Sequence, residues 1–330
     1  MHVLITGATG FLGSHIAQEL VANGHRIRAL VRPSSDTQYL ASLERTQCVT
    51  ADLHDHKSIM PHLDTIDAVI HAAGGGKVKR TTDFYHQNTH TTQELIQSIR
   101  KTKQAPKRFI LISSISAAGP LKKPVPRTET DLANPVSHYG RSKLEAESVC
   151  RSIENQLQLT IIRPPVVYGP RDSKMLKVFQ GIQKGLLLKP PGKAMSIIYG
   201  PDCARAIRLC LEGNQATGSL YYVDDGDQHT WKNFGYAIRS AIDGGAKRKR
   251  LLTVRVPSGL IYWGGALNEL RSRVTGRSTL VTRDKWRDGK QPYWICSSSR
   301  IQKELGFQAK TSLIEGVTET LNWYRNQGWL

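Results

Sequence analysis

Three short patterns hold residue types that can do chemistry. Thr6-Gly7-Ala8-Thr9-Gly10-Phe11-Leu12-Gly13 spaces three glycines at intervals of three. In such a run Gly7 permits a tight turn and Gly10 lets a backbone approach a pyrophosphate. Gly13 lets a helix pack closely on a sheet while its N-terminal amides face phosphate oxygens. Tyr139-Gly140-Arg141-Ser142-Lys143 sets a phenol and an ammonium four residues apart, on one face of a helix. A free tyrosine ionises near pH 10 and a neighbouring cation favours its phenolate, so this spacing predicts a proton donor or acceptor working near neutrality. Arg108-Phe109-Ile110-Leu111-Ile112 reads as a buried strand ending in two hydroxyls, Ser113-Ser114. Taken singly, each pattern has a plainer reading: a glycine-rich connector, a capping aromatic beside a surface charge, and a strand end.

The surrounding elements favour the chemical reading. From residue 2 to about 165, β-branched runs alternate with amphipathic stretches, the pattern of parallel βαβ units. Strands are expected at 2–6, 26–31, 46–51, 67–71, 107–113 and 158–162, with helices near 11–23, 55–62, 83–104 and 137–157. The expected fold is α/β, a doubly wound parallel sheet of Rossmann type. After Arg163-Pro164-Pro165 the alternation fades, but Ser196-Ile197-Ile198-Tyr199, a helical 201–213 and a strand-like 220–223 read as a return to the sheet. The dinucleotide-binding domain is therefore expected over 1–165 plus about 196–224, and an interleaved substrate domain over about 166–195 plus 225–330. All six tryptophans fall in the latter part, which suggests large apolar surfaces there.

Composition narrows the class. The 330 residues are 39% apolar and 22% charged, which excludes collagen-like, low-complexity and disordered chains, and no run of 18 apolar residues offers a spanning helix. The five cysteines are scattered and never C-x-x-C, so neither a disulfide framework nor a zinc knuckle is expected, and a reducing compartment fits best. His2-Val3-Leu4-Ile5-Thr6 runs straight into the glycine motif without a leader, which points to the cytoplasm. His54 and His56 lie two apart in a polar loop, and no set of metal ligands is expected among the eleven histidines.

Together, T-G-x-x-G-x-x-G after a strand and Y-x-x-x-K downstream resemble the extended short-chain dehydrogenase/reductase family, over nearly the whole chain. The resemblance implies that Ser114, five residues before Gly119, is the serine that holds the substrate oxygen against Tyr139, with Ser113 its neighbour. It implies that Lys143 also grips the nicotinamide ribose. Asn88 matches the family's helix asparagine, although a structural helix-to-loop hydrogen bond explains it equally. Cofactor contacts are implied for Gly7, Thr9, Gly10, Phe11, Leu12 and Gly13, for Asp52-Leu53 at the adenine, and for Ala72-Ala73 and Pro164 along the cofactor. At the end of the second strand, Leu30-Val31-Arg32, Val31 replaces the acid that would bind both ribose hydroxyls, and Arg32 offers a planar fork for a 2′-phosphate. This favours NADP(H); Asp36, a few residues on, leaves NAD(H) open.

Members of the family that act on sugar nucleotides usually read R-Y-F-N-V-Y-G-P after the sixth strand. Here the run is Arg163-Pro164-Pro165-Val166-Val167-Tyr168-Gly169-Pro170, with Val166 in place of the asparagine, and Met195 stands where an arginine would bind pyrophosphate. The R-P-x-x-V-Y-G form is similar to the branch of 3β-hydroxysteroid dehydrogenases and dihydroflavonol reductases, which implies a bulky, hydrophobic alcohol or ketone as the small-molecule substrate. A nucleotide-sugar epimerase or dehydratase is the alternative, and a non-catalytic dinucleotide sensor would not need Ser114, Tyr139 and Lys143.

Net charge is +19, yet no basic-aromatic nucleic-acid motif is present, so no nucleic acid is expected. Residues 244–290 hold twelve bases against three acids around the apolar stretch 256–267. Peripheral contact with an anionic membrane and an ordinary solvated basic face both fit that run. Oligomeric state is not fixed by the sequence, and a homodimer is one option.

Overall fold

The computed structural model describes residues 1–75, 78–214, 218–244, 250–257, 259, 262–268 and 283–330. Its main sheet holds seven parallel strands: β1 His2–Thr6, β2 Arg26–Val31, β3 Thr46–Thr50, β4 Ala68–His71, β5 Arg108–Ile112, β6 Gln158–Arg163 and, after four further strands, β11 Ser219–Tyr222. Their order across the sheet is β11-β6-β5-β4-β1-β2-β3. Strand order reverses beside β1, and in open α/β sheets the crevice at that point, at the carboxyl ends of the strands, is where ligands bind.

The central strands of the sheet are covered on both faces, so their residues are apolar almost without interruption, as in Val3, Leu4 and Ile5, whereas the edge strand β3 is partly exposed. One face packs on helices Phe11–Ala22 and Gly200–Glu212; the other packs on Thr91–Lys101 and His138–Arg151. The expected helix over 83–104 is one continuous helical run over 82–101, made of Thr82–Tyr85, a π-helical turn His86–His90 and Thr91–Lys101. The expected helix over 55–62 is a short turn His56–Ile59 followed by a 3-10 turn Met60–His62.

A second apolar cluster lies outside the sheet and includes Tyr168, Phe179, Phe234, Val317 and Tyr324. Its elements are β7 Val166–Tyr168, the helix Leu176–Gln183, β8 Leu186–Lys189, β9 Ala194–Met195, β10 Ile197–Tyr199 and the helices Trp231–Ile242 and Leu313–Asn326. Ser196–Tyr199 does not rejoin the main sheet as expected: β10 pairs with β7 in a two-stranded sheet of its own. The return is made by Gly200–Glu212 and β11 instead. Ile301 and Phe307, expected in the substrate domain, pack into the sheet's own core.

Three of the six tryptophans line the second cluster. Trp231, Trp294 and Trp323 pack against it, whereas Trp263 is 66% exposed. Of the basic run 244–290, residues 245–249 and 269–282 lie outside the described residues, as do Ser258, Leu260 and Ile261 of the apolar stretch. Within the described part of that stretch Leu267 is exposed like Trp263. Among the described residues, no helix is long and apolar enough to cross a membrane.

Candidate active site

The glycine loop joins β1 to the helix Phe11–Ala22 and is fixed by contacts that leave no room for side chains. Gly7 has φ +74°, and a Cβ there would sit 2.6 Å from the Ala73 nitrogen. A Cβ on Gly13 would meet the Gly7 carbonyl. Ala72 and Ala73 are held by the same loop: the Ala72 N–H donates to the Thr6 carbonyl, and the Ala73 N–H donates to Thr6 Oγ1, each at 3.2 Å. Gly10 caps the helix with no side-chain hydrogen bond, and an open pocket beside it is lined by Ala8, Thr9, Gly10, Phe11, Ser14, Asp36, Tyr39, Leu40 and Arg171. An uncapped helix terminus at a side-chain-free turn fits a dinucleotide pyrophosphate. Leu12 is half-buried against the sheet core and does not line this pocket.

Sequence reading passed over Arg171 and Tyr39. The Arg171 guanidinium stacks 4.3 Å over Tyr39 and donates to Ser14 Oγ at 2.9 Å and to His15 Nδ1 at 2.6 Å, bringing a cation from beyond β7 to the cofactor pocket. Nothing in local spacing ties residue 171 to residue 9. Arg32, in contrast, is exposed at the end of β2 and does not line the pocket, whereas Asp36 does. Asp52 is exposed and accepts the His54 N–H through Oδ1 at 2.9 Å; Leu53 packs on the sheet core. Pro164 is buried, and its carbonyl accepts the Ile115 N–H at 2.9 Å.

At the carboxyl end of β5 the two serines diverge. Ser113 is buried and donates to Glu147, which is itself held by Arg163 through Nε at 2.9 Å and Nη2 at 2.6 Å. Ser114 opens the next helical turn, accepts the Ser116 N–H at 3.1 Å and lies beside the Tyr139 phenol, whose ionised form it favours. Lys143, one turn after Tyr139, is buried and donates to the Ile112 carbonyl at 2.7 Å. Burial lowers its pKa to about 8, with the Glu147 carboxylate opposing the shift.

The expectation that Lys143 draws the Tyr139 pKa down is not met by this arrangement. Burial raises the Tyr139 phenol, the Ser114 hydroxyl opposes that, and the Asp288 charge adds to it. The ammonium is turned to a backbone carbonyl instead, which is why its charge does not dominate.

Asn88 is buried in the π-turn, where its Nδ2 donates to Ser142 Oγ at 2.9 Å and its Oδ1 accepts the Gly75 N–H at 3.1 Å. It therefore ties the loop after β4 to the helix of Tyr139. π-Turns of this kind recur at functional sites.

The helix His138–Arg151 is also gripped by residues 284–288, far along the chain, which the sequence shows only as part of a charged run. Asp284, 2% exposed, accepts the His138 and Tyr139 N–H groups at 2.8 and 3.1 Å, while Ser137 Oγ accepts that of Gly140 at 3.0 Å. This satisfies amides a helix leaves unpaired at its start. Lys285 lies 4.6 Å over the Tyr139 ring, and Asp288 is half-buried, its pKa pushed up to about 6 by desolvation.

A parallel sheet with a glycine turn at its switch point and a Ser–Tyr–Lys set one strand away defines a dinucleotide-dependent enzyme of the extended short-chain dehydrogenase/reductase type. The chain belongs to the NAD-dependent epimerase/dehydratase family, whose model matches residues 3–223. It is similar to a ceramide reductase of Caulobacter vibrioides, 30% identical over 99% of this chain and 96% of that one. A sterol-4-alpha-carboxylate 3-dehydrogenase, decarboxylating, of Dictyostelium discoideum is 24% identical over 96% of this chain and 99% of its own length. Among solved structures, UDP-glucuronic acid 4-epimerase from Bacillus cereus, in complex with UDP-glucuronic acid and NAD, has a TM-score of 0.78 at 21% identity, covering 99% of this chain and 100% of that one.

Proposed function

We propose that this chain is an oxidoreductase that moves hydride between a nicotinamide cofactor and a bulky, hydrophobic alcohol or ketone, with Tyr139 as the proton donor or acceptor. The observation that carries this reading is the Ser114–Tyr139 hydroxyl pair at the carboxyl end of the parallel sheet, with Lys143 buried one turn further on. When bound, the cofactor supplies or accepts the hydride. In the reducing direction Ser114 holds the carbonyl oxygen by a hydrogen bond. The Tyr139 O–H passes its proton to that oxygen as the carbon gains hydride, and solvent restores the proton afterwards. Burial that keeps the phenol protonated suits the donor role. Lys143, buried one turn beyond Tyr139, is anchored by its hydrogen bond to the Ile112 carbonyl.

Support for a hydrophobic substrate comes from two positions. Val166 packs against the second cluster and Met195 is 5% exposed within it, so neither offers a polar contact to a nucleotide diphosphate. The likeness to a ceramide reductase points the same way. For the cofactor, we infer a preference for NADP(H) through Arg32, which stands at the strand end in place of an acid. A substrate held in lipid would give a use to the exposed Trp263 and Leu267. Sedimentation with anionic vesicles but not neutral ones at low salt supports such docking, and equally negligible binding to both removes it.

The test is a panel of long-chain ketones, sterols, flavonoids and nucleotide sugars, followed by NADPH and NADH absorbance. Turnover of a lipid ketone supports the proposal. Interconversion of a nucleotide sugar without net change in the nicotinamide favours an epimerase and overturns it.

A further inference from the structure

Three histidines converge outside the site described above. His54 follows Asp52-Leu53 at the end of β3, and His86 and His90 lie four apart on the π-turn. The H-x-x-x-H spacing is present in the sequence, contrary to the expectation that the histidines hold no ligand set; its third member is 32 residues away, and only the fold brings it in. One ligand nitrogen from each ring lies within 4.8 Å of the others. The rings of His54 and His86 stack at 4.1 Å, those of His86 and His90 lie 5.2 Å apart, and those of His54 and His90 5.8 Å.

Two further observations point to a ligand. His90 Nδ1 is buried without a hydrogen-bond partner. Glu94 Oε1 lies 3.8 Å from His90 Nε2, on the same helical face, so a carboxylate backs the cluster. Carboxylates behind metal-bound imidazoles are the usual outer-shell partners, orienting the ring and raising its basicity.

We propose that His54, His86 and His90 form a binding site for a borderline divalent transition cation such as zinc or cobalt, with Glu94 as outer-shell partner and water completing the coordination. Three imidazoles with an open position match the ligand set of open zinc sites, at Zn–N lengths of about 2.0–2.1 Å, and two of the three side chains are exposed and can turn to close them. The hard cations magnesium and calcium prefer oxygen donors and do not suit this set. The ion would join the loop after β3 to the turn that carries Asn88, and through Asn88 to the helix of Tyr139. It is not needed for hydride transfer; its effect would be to staple two segments beside the cofactor pocket.

The experiment is calorimetric titration of tag-free, chelator-stripped protein with zinc, paired with the visible absorption of the cobalt complex and with thermal melts. One equivalent of cation is expected, with a rise in the melting midpoint from binding to the folded state alone. His54→Gln and His86→Gln are each expected to weaken binding at least tenfold, Glu94→Gln about tenfold, and the control His2→Gln not at all. Because His54 and His86 are exposed, these variants are expected to fold, which circular dichroism checks. Absence of a saturable zinc site, or zinc affinity unchanged in both His54→Gln and His86→Gln, overturns the proposal without bearing on the oxidoreductase reading.

Discussion

Replacing Tyr139 with Phe removes one oxygen and leaves the ring contact with Phe84, whose centroid lies 5.8 Å away. The expected result is a fall in kcat of about 10²–10⁴-fold, the usual contribution of a positioned acid or base, with cofactor affinity unchanged in a fluorescence titration. Wild-type turnover would remove Tyr139 from the chemistry. At Arg32 the exchange to Asp deletes a cation and adds repulsion to a 2′-phosphate, so the ratio of kcat/KM for NADPH to that for NADH is expected to drop at least tenfold. An unchanged ratio would shift attention to Arg171, the cation that does line the pocket.

The helix His138–Arg151 illustrates how an element is positioned. Its sequence supplies Ser137 as a cap, but the two amides before Gly140 are satisfied by Asp284, about 145 residues further along the chain. Asp284→Ala is expected to cost about 0.5–2 kcal/mol, the usual loss of a cap, in a denaturant titration. It should also lower kcat, since Tyr139 loses the contact that holds its own backbone. Asp284→Asn keeps one acceptor and should recover part of both; a loss of stability with kcat intact would mean that the cap serves the fold alone. On the glycine side, Gly13→Ala places a methyl against the Gly7 carbonyl, and both the helix and the phosphate-facing turn must shift. Cofactor Kd is expected to rise at least tenfold in that variant, and an unchanged Kd would show that the turn adapts.

Across the whole molecule, two buried histidines set the response to acid. His15 and His71 each have a pKa lowered from 6.5 to about 3, mainly by burial; Arg171 adds to the shift in the first and Lys143 in the second. Below pH 6.5 the unfolded chain takes up protons that the folded one refuses, so stability falls as pH drops toward the folded values. Each group contributes a slope of up to about 1.4 kcal/mol per pH unit. The thermal midpoint is expected to decline through this window, and less steeply in His71→Gln. Equal slopes would show that other groups govern the acid response.

The sheet, the glycine turn and the Ser114–Tyr139–Lys143 set were legible in the sequence because their signals are local. β-Branched runs specify buried strands, glycine spacing specifies a turn, and a separation of four specifies one helical face. The π-turn at His86–His90, the pairing of β10 with β7, the grip of Asp284 on the helix of Tyr139 and the entry of Arg171 into the cofactor pocket were decided by tertiary structure. Each joins residues far apart in the chain, with no periodicity to announce them. The same holds for the direction of the Tyr139 shift: the neighbouring charge is written in the sequence, but desolvation, which outweighs it here, exists only once the chain has folded around the phenol.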